Sequence, residues 1–178
     1  MRRLPGDLTE EQEVASMIRV DHAGEFGAVR IYSGQLAVMK NSAERKLVEK
    51  MLVQEKEHFD KFDNMIKERK VRPTILMPLW HVAGFALGAG TALLGKKAAF
   101  ACTVAVESVI EEHYQKQKER LSDNEKSLSE TITKFRDEEI EHHDTSIEHG
   151  GMDTPLYPIL SVAIKNASKL AIWLSTRI

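Results

Sequence analysis

Acidic and imidazole side chains recur in a fixed order in the two halves of this sequence. Two segments 84 residues apart share the pattern Glu-x-Glu-His-x-Asp. Each contains a Glu-x-x-His pair, formed by Glu55 with His58 and by Glu139 with His142. Residues at positions i and i+3 of a helix lie on one face, so each pair can hold one metal ion. The repeat therefore predicts two metal positions.

Each pair is preceded by another glutamate in apolar, helical sequence. Glu25 and Glu107 lie 30 and 32 residues before the glutamates of the two pairs, and Tyr32 and Tyr114 follow them by two helical turns. Four carboxylates with two imidazoles are the ligand set of di-iron and dimanganese sites in helix bundles. A structural zinc site would normally use thiolates, and the chain has one cysteine. We predict two iron ions.

Simpler explanations exist for several of these residues. A solvated charged face also produces Glu-x-x-His pairs, and roughly 0.75 such matches are expected by chance in this composition. Glu111 lies one turn beyond Glu107 and competes with it as a ligand. Asp21 either orients a ligand imidazole or serves as a surface or capping residue. The two tyrosines either line the site or only pack. The histidines expected to be solvated or hydrogen-bonded rather than ligands are His22, His113, His143 and His149.

The elements that must position these residues are predicted to be helices. Apolar residues recur at spacings of three and four, and Gly and Pro cluster at few points. We predict an all-α fold, a four-helix bundle with two additional hydrophobic or amphipathic helices. Capping residues are expected at Thr9 with Gln12 and at Ser122 with Glu125. Small residues around Glu25 are expected to permit close helix approach. The predicted bounds are about 9–40, 42–72, 97–121 and 122–149 for the bundle, and about 74–95 and 155–178 for the other two helices.

Composition limits the classes of function. The 178 residues predict a single domain spanning 1–178, with an internal repeat at approximately 9–72 and 97–149. A formal net charge of −2 argues against nucleic acid as a partner. Cys102 lies in an apolar run and is expected to be buried. The N-terminal residues 1–7 lack the apolar core of a secretory signal.

Two segments are apolar enough to raise the question of membrane contact. Residues 75–95 carry no formal charge, but Pro78, His81 and four glycines argue against a crossing of the bilayer. The C-terminal segment 155–178 combines apolar residues with Lys165, Lys169 and Arg177. Together they predict a membrane-facing surface through which a lipophilic substrate enters, with ordinary packing on the bundle as the alternative.

Four motifs resemble the 5-demethoxyubiquinone hydroxylase family in order along most of the chain. They are the segments 19–35 (RVDHAGEFGAVRIYSGQ), 85–95 (FALGAGTALLG), 101–107 (ACTVAVE) and 135–144 (FRDEEIEHHD). The resemblance implies a ferritin-like di-iron monooxygenase that hydroxylates the ring of a demethoxyubiquinone late in ubiquinone synthesis. It implies the metal ligands Glu25, Glu55, His58, Glu107, Glu139 and His142. Among these it implies that Glu55 and Glu139 bridge the irons. Ser108 departs from the pattern, where a second acidic residue is expected.

The resemblance also implies the surroundings of the reaction. Electrons are expected from NADH, although no Gly-x-Gly-x-x-Gly motif marks a nucleotide domain. Tyr114 is a hypothetical catalytic residue that assists electron or proton movement. A lipid-binding partner protein is expected at the membrane surface. The expected location is the matrix side of the mitochondrial inner membrane, or the plasma membrane of a bacterium. An iron-oxidising, iron-handling protein and a structural adaptor with a vestigial site remain alternatives.

Overall fold

Six α-helices make up the computed structural model, which describes residues 6–155 and 157–178. No strand occurs within those ranges, so the predicted all-α class is confirmed. The prediction that the N-terminal residues lack the apolar core of a secretory signal rests mainly on residues 1–5. These residues lie outside the described part of the chain. The helices are α1 (Glu10–Val38), α2 (Ala43–Glu68), α3 (Met77–Leu93), α4 (Lys96–Lys118), α5 (Lys126–Glu148) and α6 (Tyr157–Ser175).

One of the two predicted helix caps is confirmed. The Thr9 side chain accepts from the Gln12 backbone N–H, and the Gln12 side chain accepts from the Thr9 N–H, which completes the capping box of α1. Ser42 caps α2. The box predicted at Ser122 and Glu125 is wrong, because a single turn of 3-10 helix separates the end of α4 from α5. The Ser122 hydroxyl instead donates to a carboxylate of the first turn of α1.

Helices α1, α2, α4 and α5 form the bundle. Helix α1 packs along α2, and α4 packs along α5, so each half of the repeat is one helical hairpin. Ile18, Phe62, Tyr114 and Ile132 come from the four different helices and meet in one core cluster, each at most 1 % exposed. Burial of a large apolar side chain contributes about 1.5–3 kcal/mol. This core holds the two hairpins against each other.

Helix α3 lies against α1 at a distance that only glycine permits. A Cβ atom on Gly34 would collide with the backbone of Phe85, and one on Gly88 would collide with the backbone of Ile31. Close approach also occurs near Glu25, as predicted, because a Cβ atom on Gly84 of α3 would lie 3.0 Å from the Gly27 carbonyl oxygen. A Cβ atom on Gly24 or on Gly27 would meet no atom within 4 Å, so these glycines leave open space.

Two helices carry apolar side chains that the bundle does not cover. Helix α3 exposes Leu79 and Val82, and α6 exposes Ile159 and Trp173, each by more than half of its surface. In the part of the chain that the structure describes, no helix combines the length and apolarity needed to cross a bilayer. The exposed apolar side chains of α3 and α6 are called the apolar face below.

Candidate metal centre

All six predicted ligands lie in the middle of the bundle. Helix α1 contributes Glu25, α2 contributes the first Glu-x-x-His pair, α4 contributes Glu107, and α5 contributes the second pair. Their exposed fractions are between 0 and 3 %. The helical periodicity explains this placement, because residues three apart on α2 and on α5 both face the axis of the bundle.

The ligand atoms form two groups that share two carboxylates. In one group, an atom from each of Glu25, Glu55, His58 and Glu139 lies within 4.8 Å of the others. In the second group the same holds for Glu55, Glu107, Glu139 and His142. The shared members are Glu55 and Glu139, the two residues for which the resemblance implies bridging. The geometry therefore fits two cations held side by side, with one further glutamate and one histidine for each.

Each histidine turns its Nδ1 atom toward the carboxylates. The Nδ1 atom of His58 lies 3.1 Å from Glu139 and 3.4 Å from Glu25. The Nδ1 atom of His142 lies 3.1 Å from Glu55 and 3.2 Å from Glu139. Both rings thus present one nitrogen to the centre of the site, as a metal-ligating imidazole must.

The outer nitrogen of each histidine meets a residue that the sequence reasoning missed. The Nε2 atom of His58 lies 2.8 Å from an oxygen of Glu138, and that of His142 lies 3.2 Å from the Gln54 side-chain oxygen. Gln54 and Glu138 occupy equivalent positions in the repeat, directly before the glutamate of each pair. That equivalence was the available signal, but only the packing of α2 against α5 shows that each contacts the histidine of the other half.

The two tyrosines cross between the halves in the same way. Tyr32 of α1 donates a hydrogen bond of 2.8 Å to Glu107 of α4. Tyr114 of α4 donates one to Glu25 of α1. Both side chains are 1 % exposed. Of the two predicted alternatives, the structure therefore favours tyrosines that line the site and orient its outer glutamates.

Burial and mutual repulsion perturb the carboxyl groups strongly. Burial raises the pKa of Glu55 well above its usual value, and the charges of Glu139 and Glu25 raise it further. Burial likewise raises the pKa of Glu107, again with Glu139 adding to the effect. Burial alone would also raise the pKa of Glu139, but hydrogen bonds from His142 and His58 outweigh it and lower that pKa to about 2. Burial therefore disfavours the ionised form of Glu55 and Glu107 unless a cation occupies the site.

The imidazoles respond in the opposite sense. Burial alone would lower the pKa of His58, but hydrogen bonds with Glu139 and Glu25 outweigh it and raise the value to about 12. The pKa of His142 is also raised, because its hydrogen bond and charge interaction with Glu139 exceed the effect of burial. Protonated imidazoles thus supply the positive charge that balances the carboxylates, a role that metal ions can take over.

The orphaned oxygens of the cluster provide a test of whether a metal fits. Among the described residues, both carboxyl oxygens of Glu55 and one oxygen each of Glu25 and Glu107 are buried and accept no well-aligned hydrogen bond, although imidazole nitrogens lie 3.1 Å from Glu55 and 3.4 Å from Glu25. Buried carboxylate oxygens are normally paired or coordinate a metal. Mixed carboxylate and imidazole donors suit iron or manganese. The donor set and its unsatisfied oxygens therefore fit a pair of iron ions.

The remaining candidates lie outside both groups. Glu111 is partly exposed, whereas Glu107 is buried within the cluster. Asp21 is buried and contacts an imidazole, but that imidazole belongs to His113 rather than to a predicted ligand. Gln117 donates the second hydrogen bond to Asp21. None of the other histidines of the described ranges belongs to either group.

A partly open apolar cavity of about 160 Å³ lies between α1, α3, α4 and α6, and none of the six candidate ligands forms its wall. Gly24 and Gly27 form part of its wall on either side of Glu25 along α1, and Val106, directly before Glu107, forms part of the α4 wall. The hydrogen bond of 3.0 Å from the Trp80 indole to the Ser175 hydroxyl joins α3 to α6 at its rim. The cavity extends between the helices that carry the apolar face.

Comparison with known proteins gives consistent matches. The family model described as ubiquinone biosynthesis protein COQ7 matches residues 12–175. The 3-demethoxyubiquinol 3-hydroxylase of Rhodospirillum rubrum is 54 % identical over 177 residues, which cover 99 % of this chain and 84 % of the relative. The human protein named NADPH-dependent 3-demethoxyubiquinone 3-hydroxylase, mitochondrial, is 50 % identical, covering 97 % of this chain and 81 % of the relative. The mitochondrial 5-demethoxyubiquinone hydroxylase of Saccharomyces cerevisiae is 41 % identical, covering 91 % of this chain and 77 % of the relative.

Proposed function

The chain belongs to the ubiquinone biosynthesis protein COQ7 family, and on that premise we propose that it is a di-iron monooxygenase that hydroxylates the ring of a demethoxyubiquinone intermediate. The observation that carries the proposal is the buried cluster of four glutamates and two histidines, in which two groups share Glu55 and Glu139. The proposed ligands are Glu25, Glu55, His58, Glu107, Glu139 and His142.

The reaction replaces a ring C–H bond by C–OH. One atom of dioxygen enters the ring and the other leaves as water, which consumes two electrons and two protons. Iron ions bound in the cluster would supply the oxygen chemistry that side chains cannot perform. The proposed electron source is NADH. Because the bovine and human relatives are named NADPH-dependent, NADPH should be tested beside NADH as the electron donor.

The side chains of the bundle orient the site and keep water out. Tyr32 and Tyr114 hold one oxygen of each outer glutamate, which leaves the other oxygen of each directed at the cluster. The His58 ring stacks on Phe135 with 3.9 Å between ring centroids, which closes one side of the site with an apolar wall. A dry, preorganised pocket strengthens electrostatic interactions with a reacting ring. Tyr114 is proposed to assist proton or electron movement through its contact with Glu25.

The apolar cavity is the proposed entrance for the quinone. Its walls are almost free of polar atoms, and they include chain neighbours of Glu25 and Glu107 but none of the six candidate ligands. Apolar clefts with a few convergent polar groups are the usual form of small-molecule sites. A lipophilic molecule can therefore bind between α1, α3, α4 and α6 from the side of the apolar face without crossing bulk water.

The apolar face supports attachment to a membrane surface. Val82 and Trp173 are 65 % and 52 % exposed, although burial of such side chains is favourable. We infer binding to lipid headgroups and acyl chains through this face, together with a lipid-binding partner protein that delivers the quinone. Several relatives are named mitochondrial. The proposed location is the matrix side of the mitochondrial inner membrane, or the plasma membrane if the source is a bacterium.

The competing functions have less support. An iron-handling protein would use the same ligands. However, the relatives reported above are named hydroxylases, and iron storage does not require an apolar cavity between α1, α3, α4 and α6. An adaptor with a vestigial site is expected to have lost ligands, whereas all six are present and converge. The hydroxylase is therefore the function that the geometry supports best.

A single-turnover experiment tests the proposal. The purified protein is loaded with ferrous iron under anaerobic conditions and mixed with a demethoxyquinone, NADH or NADPH, and oxygen-18 gas. We expect two irons per chain and one labelled oxygen atom in the quinone ring by mass spectrometry. Oxygen consumption without a labelled ring would favour iron oxidation, and protein that binds no iron would refute the site.

Glu107 and Glu111 provide a matched pair of variants for this experiment. They lie one turn apart on α4, but Glu107 belongs to the cluster and Glu111 is partly exposed. Glu107→Gln is expected to lower the labelled product at least 100-fold, whereas Glu111→Gln is expected to retain it, because outer ligands fix the metal geometry and surface carboxylates do not. Equal activity of the two variants would contradict the assignment of Glu107.

A further inference from the structure

We propose that Glu138 makes the two metal positions of the cluster unequal, so that the position next to Glu25 and His58 binds a metal ion more tightly than the position next to Glu107 and His142. The inference depends on the proposed function in one respect only, namely that the six ligands hold metal. It does not depend on the reaction that the metals perform.

The two halves of the site supply the same types of ligand, but the residues behind their histidines differ. Each half supplies one glutamate from the first helix, one Glu-x-x-His pair from the second, and one tyrosine that reaches the other half. The residue behind each histidine differs, because Gln54 and Glu138 occupy the equivalent place. The repeat is therefore symmetric in its ligands and asymmetric in the charge behind them.

A carboxylate accepts the outer hydrogen bond of His58. The Nε2 atom lies 2.8 Å from Glu138, while the Nδ1 atom lies within 3.4 Å of Glu139 and Glu25. The second oxygen of Glu138 lies 3.6 Å from the ammonium group of Lys134, which limits its freedom to turn away. An imidazole that donates to a carboxylate is a stronger electron donor to a metal on its other nitrogen.

A neutral amide takes the same place behind His142. The Gln54 oxygen lies 3.2 Å from the Nε2 atom, a longer contact than that of Glu138 with His58. Hydrogen bonds to an ionised group are about twice as strong as those between neutral groups. The His142 ring therefore receives less polarisation, and its metal position also lacks the additional negative charge.

The prediction is tested by stepwise metal titration. Ferrous iron is added anaerobically to the purified protein in competition with a coloured chelator, and the two dissociation constants are fitted. Loss of a residue behind a metal-ligating imidazole typically weakens metal binding about 10- to 100-fold. We expect the tight constant of the wild type to weaken about 10-fold in Glu138→Gln, which brings the two constants close together. In Gln54→Glu the weak constant is expected to tighten, which again brings them together.

Two further variants determine which position is the tight one. His142→Ala is expected to retain the tight constant, and His58→Ala to retain the weak one. The exchange variant Gln54→Glu with Glu138→Gln is expected to restore two unequal constants with the order of filling reversed. Mössbauer spectra with one equivalent of iron-57 provide an independent measure, because one quadrupole doublet should dominate in the wild type and two of similar area in Glu138→Gln.

Glu141 supplies the control for charge alone. It lies three residues from Glu138 on α5, and its side chain is exposed. Glu141→Gln removes the same charge without touching a histidine and is expected to leave both constants unchanged. Equal effects of Glu141→Gln and Glu138→Gln, or no effect of Glu138→Gln, would overturn the inference. Failure of the proposed reaction would instead appear as two tightly bound irons with no labelled quinone.

Discussion

Replacing Glu55 by leucine should stabilise the protein once metal has been removed with a chelator. The Glu55 side chain is 0 % exposed, and neither of its oxygens accepts a well-aligned hydrogen bond from the described residues, although one lies 3.1 Å from the Nδ1 atom of His142. Burial, followed by the charges of Glu139 and Glu25, raises its pKa well above the usual value. The wild-type fold therefore bears the cost of a buried carboxyl group that its contact with His142 offsets in part and that a bound cation offsets further.

The magnitude follows from the environment of the side chain. Leucine fills nearly the same volume, and burial of a polar group without a satisfactory hydrogen bond costs about 1–3 kcal/mol, so we expect a gain of about 2 kcal/mol. For a chain of this size, 1 kcal/mol corresponds to about 2–4 °C, which predicts a rise in Tm of about 4–8 °C. With ferrous iron present the order should reverse, because only the wild type gains the free energy of metal binding.

The effect should depend on pH in a defined direction. The pKa of Glu55 is higher in the folded chain than in the unfolded chain, so its contribution to stability is present below the unfolded value and is lost as the pH rises through the folded value. The advantage of leucine should therefore grow between about pH 5 and about pH 8.

Thermal unfolding followed by circular dichroism, with and without chelator, measures all three effects. Glu57→Leu is the matched control, since Glu57 lies on the same helix with an exposed side chain, and it should change the free energy of unfolding by less than about 0.5 kcal/mol. A lower Tm for Glu55→Leu than for the wild type in chelator would refute the reasoning.

Three further outcomes are expected. Tyr114→Phe should lower turnover while two irons remain bound, and Tyr32→Phe should lower turnover less. If Tyr114→Phe left both turnover and metal content unchanged, Tyr114 would not assist electron or proton movement. The apparent affinity for ferrous iron should increase from about pH 6 to about pH 8, because the raised pKa values of Glu55 and Glu107 mean that metal must displace protons. Calorimetry in buffers of different ionisation enthalpy measures the number of protons released on metal binding. Gly88→Ala should destabilise the fold by about 1–3 kcal/mol in chemical denaturation, since its Cβ would collide with the Ile31 backbone, whereas Gly90→Ala, whose Cβ would meet nothing within 4 Å, should not.

Attachment to a membrane surface can be tested by sedimentation with anionic phospholipid vesicles. Val82→Glu, on the apolar face, is expected to reduce the bound fraction strongly. Val53 is exposed to a similar extent on α2, away from that face, and Val53→Glu should have little effect. Equal binding of the two variants would count against the apolar face as the contact surface.

Local spacing explains how much of the site could be predicted from the sequence. The Glu-x-x-His pairs share a helix face wherever a helix forms, and the repeat marks Glu25 and Glu107 as their partners. The capping box at Thr9 and Gln12 was predictable for the same reason, since all of its atoms belong to one turn. The family resemblance added the substrate class, which the spacing of ligands does not specify.

Contacts between side chains of different helices could not be predicted from local spacing. The cap predicted at Ser122 failed because its hydroxyl reaches α1 across the bundle, and Asp21 was found beside His113 rather than beside a ligand. The contacts of Glu138 and Gln54 with histidines of the opposite half were missed. Each depends on the rotation and axial offset of one helix against another, which are set by core packing over the whole bundle.

The helices, the six candidate ligands and the order in which they occur could thus be predicted from the sequence, because these depend on residues close together in the chain. Three features required the packed structure: which two glutamates are shared, which groups lie behind the histidines, and where the apolar cavity opens. Those features arise where side chains from different helices meet, and their geometry depends on how closely the backbones approach. The glycines show this most directly, since Gly34 and Gly88 allow α3 to contact α1, whereas Gly24 and Gly27 leave the space that forms the cavity.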